Sequence, residues 1–191
     1  MRKALLLLTI FSLATATTYS QYEINSAGVA HIIDFNDFTG AGFGPAPMAG
    51  ELDSDNWLFL GFSDGPWNYG DLCNSGDCAR GLTSGGVSSG GIYALENGPT
   101  GGNAIYFQPT GSDFTAGSMI LRAVNNTGAV INELEIAYQV FAFNNESRSG
   151  TIDFSYSTDG TNYVDMPALN FLSVETADDS FYVENKYQLI P

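Results

Sequence analysis

Short runs of β-branched and aromatic residues, separated by turn residues, recur along this chain and limit it to a β fold. Glycine is abundant, with 22 residues, and no long stretch has helical periodicity. The clearest alternation is at residues 133–140, where every second residue is apolar. Many short strands between turn signals are typical of a sandwich. We therefore predict an all-β fold, an antiparallel β-sandwich of jelly-roll type.

Ten strands are predicted from this pattern. They cover residues 29–35, 57–62, 91–95, 104–108, 118–124, 131–143, 151–157, 162–166, 171–175 and 181–189. Residues 155–163 form a predicted hairpin, in which Asp159 and Gly160 supply the positive φ angles of a type I′ turn.

The N-terminus has the pattern of a secretory signal peptide. Arg2 and Lys3 precede an apolar run at residues 4–13, and small residues follow. The run is well short of the roughly 20 residues that span a bilayer, so we expect a removable peptide and no membrane insertion. Cleavage after Ala16 or after Ser20 fits the sequence, and we favour Ser20. We predict a secreted or cell-surface protein with one β-sandwich domain at residues 21–191.

The charge balance limits the partners. Removal of residues 1–20 leaves four basic and 21 acidic residues, a net charge of −17. Nucleic acids and anionic membranes bind clustered Lys and Arg, so both are excluded as expected partners. Crowded carboxylates favour a divalent counterion, and outside a cell that ion is calcium.

Two groups of oxygen-bearing residues are candidate calcium ligands. Asp34, Asn36 and Asp37 follow the first predicted strand. Asp53 and Asp55 lie in an acidic stretch at residues 51–77 that contains no basic residue. The spacing at Asp53 departs from that of an EF-hand, and a solvated acidic rim is the alternative interpretation.

The two cysteines fit an exported protein. Cys73 and Cys78 are separated by four residues in a Gly- and Asp-rich loop. A structural zinc ion needs four ligands, more than this pair and the single histidine supply. We predict a Cys73–Cys78 disulfide that fixes the shape of the loop.

Aromatic residues in a polar loop suggest a ligand site. Trp67 and Tyr69 lie between Gly65 and Gly70, with Asp64 and Asn68 beside them. Sugar-binding sandwiches stack apolar sugar faces on such rings and hydrogen-bond the hydroxyls to nearby side-chain oxygens. We predict that Trp67, Tyr69, Asp64 and Asn68 bind a glycan. The alternative is that Trp67 caps the core.

No complete catalytic constellation is present in the sequence. His31, the single histidine, lies in an apolar run and is expected to be a half-buried structural residue. No G-x-S-x-G elbow accompanies it. Some pair among 21 acidic residues would reach glycosidase spacing by chance. We therefore expect a protein that is not an enzyme.

Several motifs resemble a module of bacterial exported proteins. They are ELDSDNW at residues 51–57, GFSDG at 61–65, GDCARG at 76–81, GGIYA at 90–94 and QPTGSDF at 108–114. The resembling proteins are large surface or secreted polypeptides that often carry a C-terminal type IX secretion sorting tag.

The resemblance implies a non-catalytic binding or adhesive module, monomeric within a larger surface protein. No catalytic residues are established for the module, so none carry over, and its motifs are not specific to one function because it occurs beside nucleases, other hydrolases and adhesive repeats. It also implies a further strand after Pro191, so we expect the chain to be incomplete at its C-terminus. The alternative function is a structural accessory domain of an extracellular nuclease or glycosidase, with no ligand of its own.

Overall fold

The computed structural model describes residues 21–98 and 101–191. The only helical segments in these ranges are two 3₁₀ turns, Gly76–Cys78 and Pro167–Leu169. The strands are β1 (Tyr22–Ile24), β2 (Phe43–Gly44), β3 (Leu52–Asp53), β4 (Trp57–Leu60), β5 (Leu82–Thr83), β6 (Gly91–Leu95), β7 (Ala104–Gln108), β8 (Ser118–Leu121), β9 (Ala123–Asn125), β10 (Leu134–Asn144), β11 (Thr151–Ile152), β12 (Ser155–Tyr156), β13 (Val164–Asp165), β14 (Phe171–Leu172) and β15 (Ser180–Ile190). The prediction of an all-β fold is confirmed.

The strands pair into small sheets. β5, β6 and β7 form a three-stranded sheet, and the remaining strands form pairs: β1–β9, β2–β3, β4–β8, β10–β15, β11–β14 and β12–β13. The β1–β9, β2–β3 and β5–β6 pairs are parallel, so the pairing is not wholly antiparallel. The pairings among the described residues show an all-β arrangement of small sheets but no closed sandwich or jelly-roll topology.

The strand predictions succeed where pairing partners are present. β6 and β7 match residue for residue, and β4, β10 and β15 differ only at their ends. The predicted strand at residues 118–124 is divided at Arg122 into β8 and β9, which pair with different strands. The predicted strand at residues 29–35 is wrong, because this segment has no paired neighbour and leaves Ile32 78% exposed. His31 is exposed rather than half-buried, with Nε2 3.0 Å from the carbonyl oxygen of Ser26.

The hairpin at residues 155–163 is confirmed as the β12–β13 pair, but its turn type is wrong. Only Gly160 has a positive φ, at 71°, whereas a type I′ turn needs two such residues. The Asp159 carboxylate instead accepts the backbone N–H groups of Thr161 and Asn162, at 2.8 and 2.7 Å. These hydrogen bonds lower the pKa of Asp159, with those from Asn162 the largest cause.

The core is an aromatic cluster around β4 and β6. Phe38, Phe43 and Phe59 are buried, and the rings of Phe43 and Phe59 stack with centroids 4.4 Å apart. All five residues of β6 are buried. Gly91 starts this strand with a φ of 132°, and a Cβ there would lie 2.3 Å from the carbonyl oxygen of Asp77. Glycine at this position therefore lets the 3₁₀ turn at residues 76–78 approach the central strand.

A separate two-stranded ribbon forms the C-terminal part. β10 and β15 pair antiparallel over 11 residues each, from Leu134 opposite Ile190 to Asn144 opposite Ser180. The face with even-numbered residues is covered by residues 154–169: Tyr138 stacks on Phe154 with centroids 5.9 Å apart. The other face is largely open to solvent.

The predicted signal peptide at residues 1–20 lies outside the described residues. In residues 21–98 and 101–191, neither helical segment is long and apolar enough to cross a bilayer.

The aromatic core gives the first testable prediction. Phe59→Ala should lower the free energy of unfolding by about 3–5 kcal/mol, because a buried ring is replaced by a cavity. Ile32→Ala, at an exposed position, is the control and should change it by about 0.5 kcal/mol or less. Urea denaturation of residues 21–191 measures both. Equal effects of the two substitutions would contradict this location of the core.

Candidate functional site

A surface cleft of about 150 Å³ opens at the end of β4. Residues 59–62 line one side of the cleft and residues 65–67 line the other. Gly61 and Gly65 contribute backbone only, and the side chains that line the cleft are Phe59, Leu60, Phe62, Pro66 and Trp67. Pockets that enclose a drug-sized ligand have about 300–1,000 Å³, so this cleft fits one ring or a small group of a larger ligand.

Trp67 combines a core contact with a buried polar atom that has no hydrogen-bond partner. Its side chain is half-buried and packs against the aromatic core. The indole lies over Gly65, where a Cβ would be 3.1 Å from its Cδ1 atom. Its Nε1 atom is buried and has no hydrogen-bond partner. An unsatisfied buried donor is costly, so an acceptor brought to this atom would be favourable.

The other three predicted glycan ligands lie around Trp67 but do not line the cleft. Asn68 is held by the carboxylate of Asp71, which accepts its backbone N–H at 2.8 Å. Tyr69 is half-buried with the Arg122 guanidinium over one ring face, 4.1 Å from the centroid. Burial raises the pKa of Tyr69, and the charge of Arg122 opposes that rise. Asp64 is exposed and faces the 3₁₀ turn, where its Oδ2 accepts the N–H of Asp77 at 3.0 Å.

Two buried carboxylates hold the loop that borders the cleft, and both meet at Ser63. The Ser63 N–H donates to Asp113 Oδ1 at 2.8 Å, and its hydroxyl donates to Asp77 Oδ2 at 2.9 Å. The Thr110 and Ser112 hydroxyls donate to Asp113 Oδ2 at 3.0 and 2.8 Å. We call these residues, together with Asp64 and Arg80, the Ser63 network.

Arg80 completes the Ser63 network. Its Nη2 atom forms an ion pair with Asp77 Oδ1, and its Nε–H donates to the carbonyl oxygen of Gly90 at 2.9 Å. A buried carboxylate is tolerated only when it is paired and hydrogen-bonded, and Asp77 satisfies both conditions. The network thereby ties the cleft loop to the start of the central strand.

Hydrogen bonding decides the charge state of Asp113, which is only 4% exposed. Burial alone would raise the pKa of this carboxyl. The hydrogen bonds from Ser63, Ser112 and Thr110 outweigh burial and lower the pKa to about 2. Asp113 is therefore ionised at neutral pH and serves as a fixed acceptor in the network.

The predicted disulfide is present between Cys73 and Cys78, whose Cα atoms are 6.2 Å apart. Both residues are buried in the aromatic core. Cys73 also exchanges two backbone hydrogen bonds with Phe43, at 2.7 and 2.8 Å. The disulfide therefore joins the 3₁₀ turn, which contains Asp77, to the core.

Sequence reasoning did not identify the Ser63 network. One signal was available, because Asp77 and Arg80 have the three-residue spacing of a local ion pair. The role of Asp113 had no such signal, since Ser63 is 50 positions away in the chain. Only the folded arrangement brings these two residues together.

The predicted metal ligands remain in two separate groups. Asp34, Asn36 and Asp37 are exposed, and Asp34 Oδ1 accepts the Asn36 N–H at 3.2 Å. Asp53 and Asp55 lie in the turn between β3 and β4, where Asp53 Oδ1 accepts the Asp55 N–H at 2.8 Å. Across the described ranges, no three His, Cys, Asp or Glu side chains are grouped as a metal site would require.

The Asp53–Asp55 turn nevertheless holds unsatisfied oxygens. Asp55 is 8% exposed, and its Oδ1 atom has no hydrogen-bond partner, as is also true of the Ser54 hydroxyl oxygen. Burial raises the pKa of Asp53, and the nearby charge of Asp55 adds to the rise. The turn thus concentrates negative charge with incomplete hydrogen bonding.

No protein-family model, curated protein sequence or solved structure matches this chain. The resemblance to the exported module therefore stays a prediction, and the function has to be argued from the site.

The charge of Asp113 gives a pH-dependent prediction. A carboxyl whose pKa is lower in the folded than in the unfolded chain stabilises the fold above pH 4, and this stability is lost as pH falls toward 2. Asp113→Asn should cost on the order of 2 kcal/mol at pH 7. It should also flatten the decline in unfolding free energy between pH 5 and pH 2.

Denaturation curves across this pH range test the prediction. Asp165→Asn is the matched control, because Asp165 is an exposed aspartate on β13. If the Asp113 and Asp165 variants had the same pH dependence as each other and as the parent protein, the ionised role of Asp113 would be refuted.

Proposed function

We propose that this protein is a secreted, non-catalytic β module that binds glycans through the cleft beside Trp67. The observation that carries the proposal is the Trp67 indole, which borders the cleft and has an unpartnered N–H. A sugar ring offers an apolar C–H face for the aromatic wall, and a small movement of the indole or of Gly65, which lies against it, would bring the buried Nε1 within reach of a hydroxyl oxygen. Glycans are therefore a ligand class that matches both the aromatic face and the N–H group of this side chain.

The surroundings of the cleft also suit a sugar. Asp64 is exposed next to the cleft loop, and its carboxylate can accept hydrogen bonds from hydroxyl groups. The Ser63 network fixes the loop, which limits the entropy lost on binding. A cleft of this size holds a single ring, so we propose a glycan chain that lies across the surface with one residue at Trp67.

Further features support a secreted or surface role. They are the signal-like N-terminus, the disulfide and a net charge of −15 for the whole chain. We propose that the strands belong to a jelly-roll module of a larger surface protein. The alternative of an accessory domain beside an extracellular hydrolase would apply if no glycan bound.

Replacement of Trp67 tests the glycan proposal. Trp67→Phe keeps an aromatic face but removes the N–H. It should weaken binding to a polysaccharide that retains the parent protein by roughly five- to tenfold. Trp57→Phe is the matched control, because Trp57 does not line the cleft; its ring stacks on Phe59 and lies tilted against Phe35. Affinity electrophoresis measures retention, and melting curves report the fold of each variant.

The outcomes distinguish a ligand-binding role of Trp67 from a purely structural one. Weaker binding by the Trp67 variant alone, at unchanged melting temperature, supports the cleft. Equal retention of both variants would reject Trp67 as the ligand contact. A glycan array without hits on residues 21–191 would leave the accessory role.

Calcium binding is proposed as a separate property of the Asp53–Asp55 turn. The unpartnered oxygens of Asp55 and Ser54, beside the Asp53 carboxylate, support it. Calcium accepts six to eight oxygen ligands in flexible geometry, including carbonyl and hydroxyl oxygens, so two carboxylates with neighbouring oxygens can suffice.

Millimolar calcium should therefore raise the melting temperature, because a ligand that binds only the folded state stabilises it. Magnesium should have a smaller effect because it demands stricter octahedral geometry. Asp55→Asn should remove the rise in melting temperature with calcium. Asp37→Asn tests the second predicted group of ligands, Asp34, Asn36 and Asp37. Identical melting curves in calcium and in chelator would dismiss the proposal.

A further inference from the structure

Strand β15 has a long unpaired edge. It pairs with β10 along one side, and no strand of the described residues pairs along the other. Every second one of its 11 residues therefore directs its backbone N–H and C=O groups to this free edge, and the others bond to β10. Such edges add a further strand readily unless they are short, charged or bulged. β15 is long and regular, and its only charged residues are Glu184 and Lys186.

The sequence of β15 is complementary to itself in one antiparallel register. With Asn185 on a twofold axis, Glu184 lies opposite Lys186 of a second copy. In the same register Val183 lies opposite Tyr187, and Phe181 lies opposite Leu189. Directly opposed residues of antiparallel strands interact most strongly, and opposite charges or aromatic–aliphatic pairs stabilise them.

Neighbouring registers lack this complementarity. If the sum of the numbers of opposed residues falls by two, Glu184 lies opposite Glu184 of the second copy. If the sum rises by two, Lys186 lies opposite Lys186 of the second copy. Like charges directly opposite each other are destabilising. One register is therefore selected by charge.

The ribbon also leaves apolar area for this pairing to cover. Phe181, Val183, Tyr187 and Leu189 are all exposed on the open face, with Tyr187 at 60%. Glu184 and Lys186 lie on the opposite face and already form an ion pair within one chain. The 3₁₀ turn at Pro167–Leu169 covers that face, where the Leu169 carbonyl accepts the Tyr138 hydroxyl.

We infer that two copies of this chain associate through β15 to form a four-stranded antiparallel sheet in the order β10–β15–β15–β10. The association is weak and reversible, because one strand edge buries less than the roughly 1,200–2,000 Å² of a standard interface. The net charge of −17 on residues 21–191 also opposes it. This differs from the monomer expected from the sequence.

Charge reversal tests the interface. Glu184→Lys and Lys186→Glu each put like charges opposite each other twice, so each should weaken the dimer by about tenfold or more. A one-to-one mixture of the two variants restores opposite charges and should form the heterodimer. Glu175→Lys and Arg148→Glu are the matched controls, since they reverse exposed charges outside β15.

Sedimentation equilibrium of residues 21–191 from micromolar to millimolar concentration gives the readout. We expect a concentration-dependent dimer for the parent protein and controls, monomers for each single variant, and recovery in the mixture. The inference is overturned if the parent stays monomeric at millimolar concentration. It is also overturned if the single variants dimerise like the parent, which is the result expected of a dimer that forms through the free edge of β10.

A cysteine cross-link tests the register independently. Opposed residues have Cα atoms about 4.5–5.5 Å apart, within disulfide range. Asn185→Cys should therefore form a covalent dimer on mild oxidation. Val183→Cys should form one only when mixed with Tyr187→Cys. Efficient cross-linking of the Val183 variant with itself would contradict this register.

Discussion

The hydrogen bonds of Ser63 to two buried carboxylates are the interaction on which the arrangement of the cleft depends. The backbone of Ser63 is held by Asp113, and its hydroxyl is held by Asp77. These acceptors come from segments 14 and 50 positions further along the chain. The loop that begins at Gly61 is therefore fixed from two sides, and its position determines where Trp67 lies.

The Ser63 network also explains how an acidic protein tolerates carboxylates in its interior. Each carboxylate oxygen of Asp77 and Asp113 finds a donor: Arg80 and Ser63 for Asp77, and Ser63, Thr110 and Ser112 for Asp113. Paired and hydrogen-bonded charges cost little compared with isolated ones. The disulfide at Cys73–Cys78 connects the same 3₁₀ turn to the aromatic core. Polar and apolar contacts thus hold the same short segment.

The sequence predicts the regular parts of this fold well. β6 and β7 match their predicted bounds because short apolar and aromatic runs, flanking turns and a paired neighbour all agree. The segment around Ile32 also has a short apolar run but lacks a partner strand, and β propensity depends on such context. β2, β3 and β5 are two residues long and leave no periodic signal.

The site was predictable only in part. Trp67 could be singled out because a large aromatic in a Gly-bounded polar loop is unusual, and it does border the cleft. The cation–π contact of Arg122 with Tyr69 joins residues more than 50 positions apart, so the local sequence gives no indication of it. The same holds for Asp113 and Ser63. Such contacts depend on tertiary arrangement rather than on local pattern.

Amide hydrogen exchange of the Ser63 N–H, measured by NMR on residues 21–191, tests the central claim most directly. Ser63 is in a loop and exposed, so its amide would exchange rapidly without a persistent partner. The account predicts protection close to that of the Ala94 amide, which donates to the Gly81 carbonyl in the central sheet. Exchange of Ser63 at the rate of an unstructured peptide would contradict it.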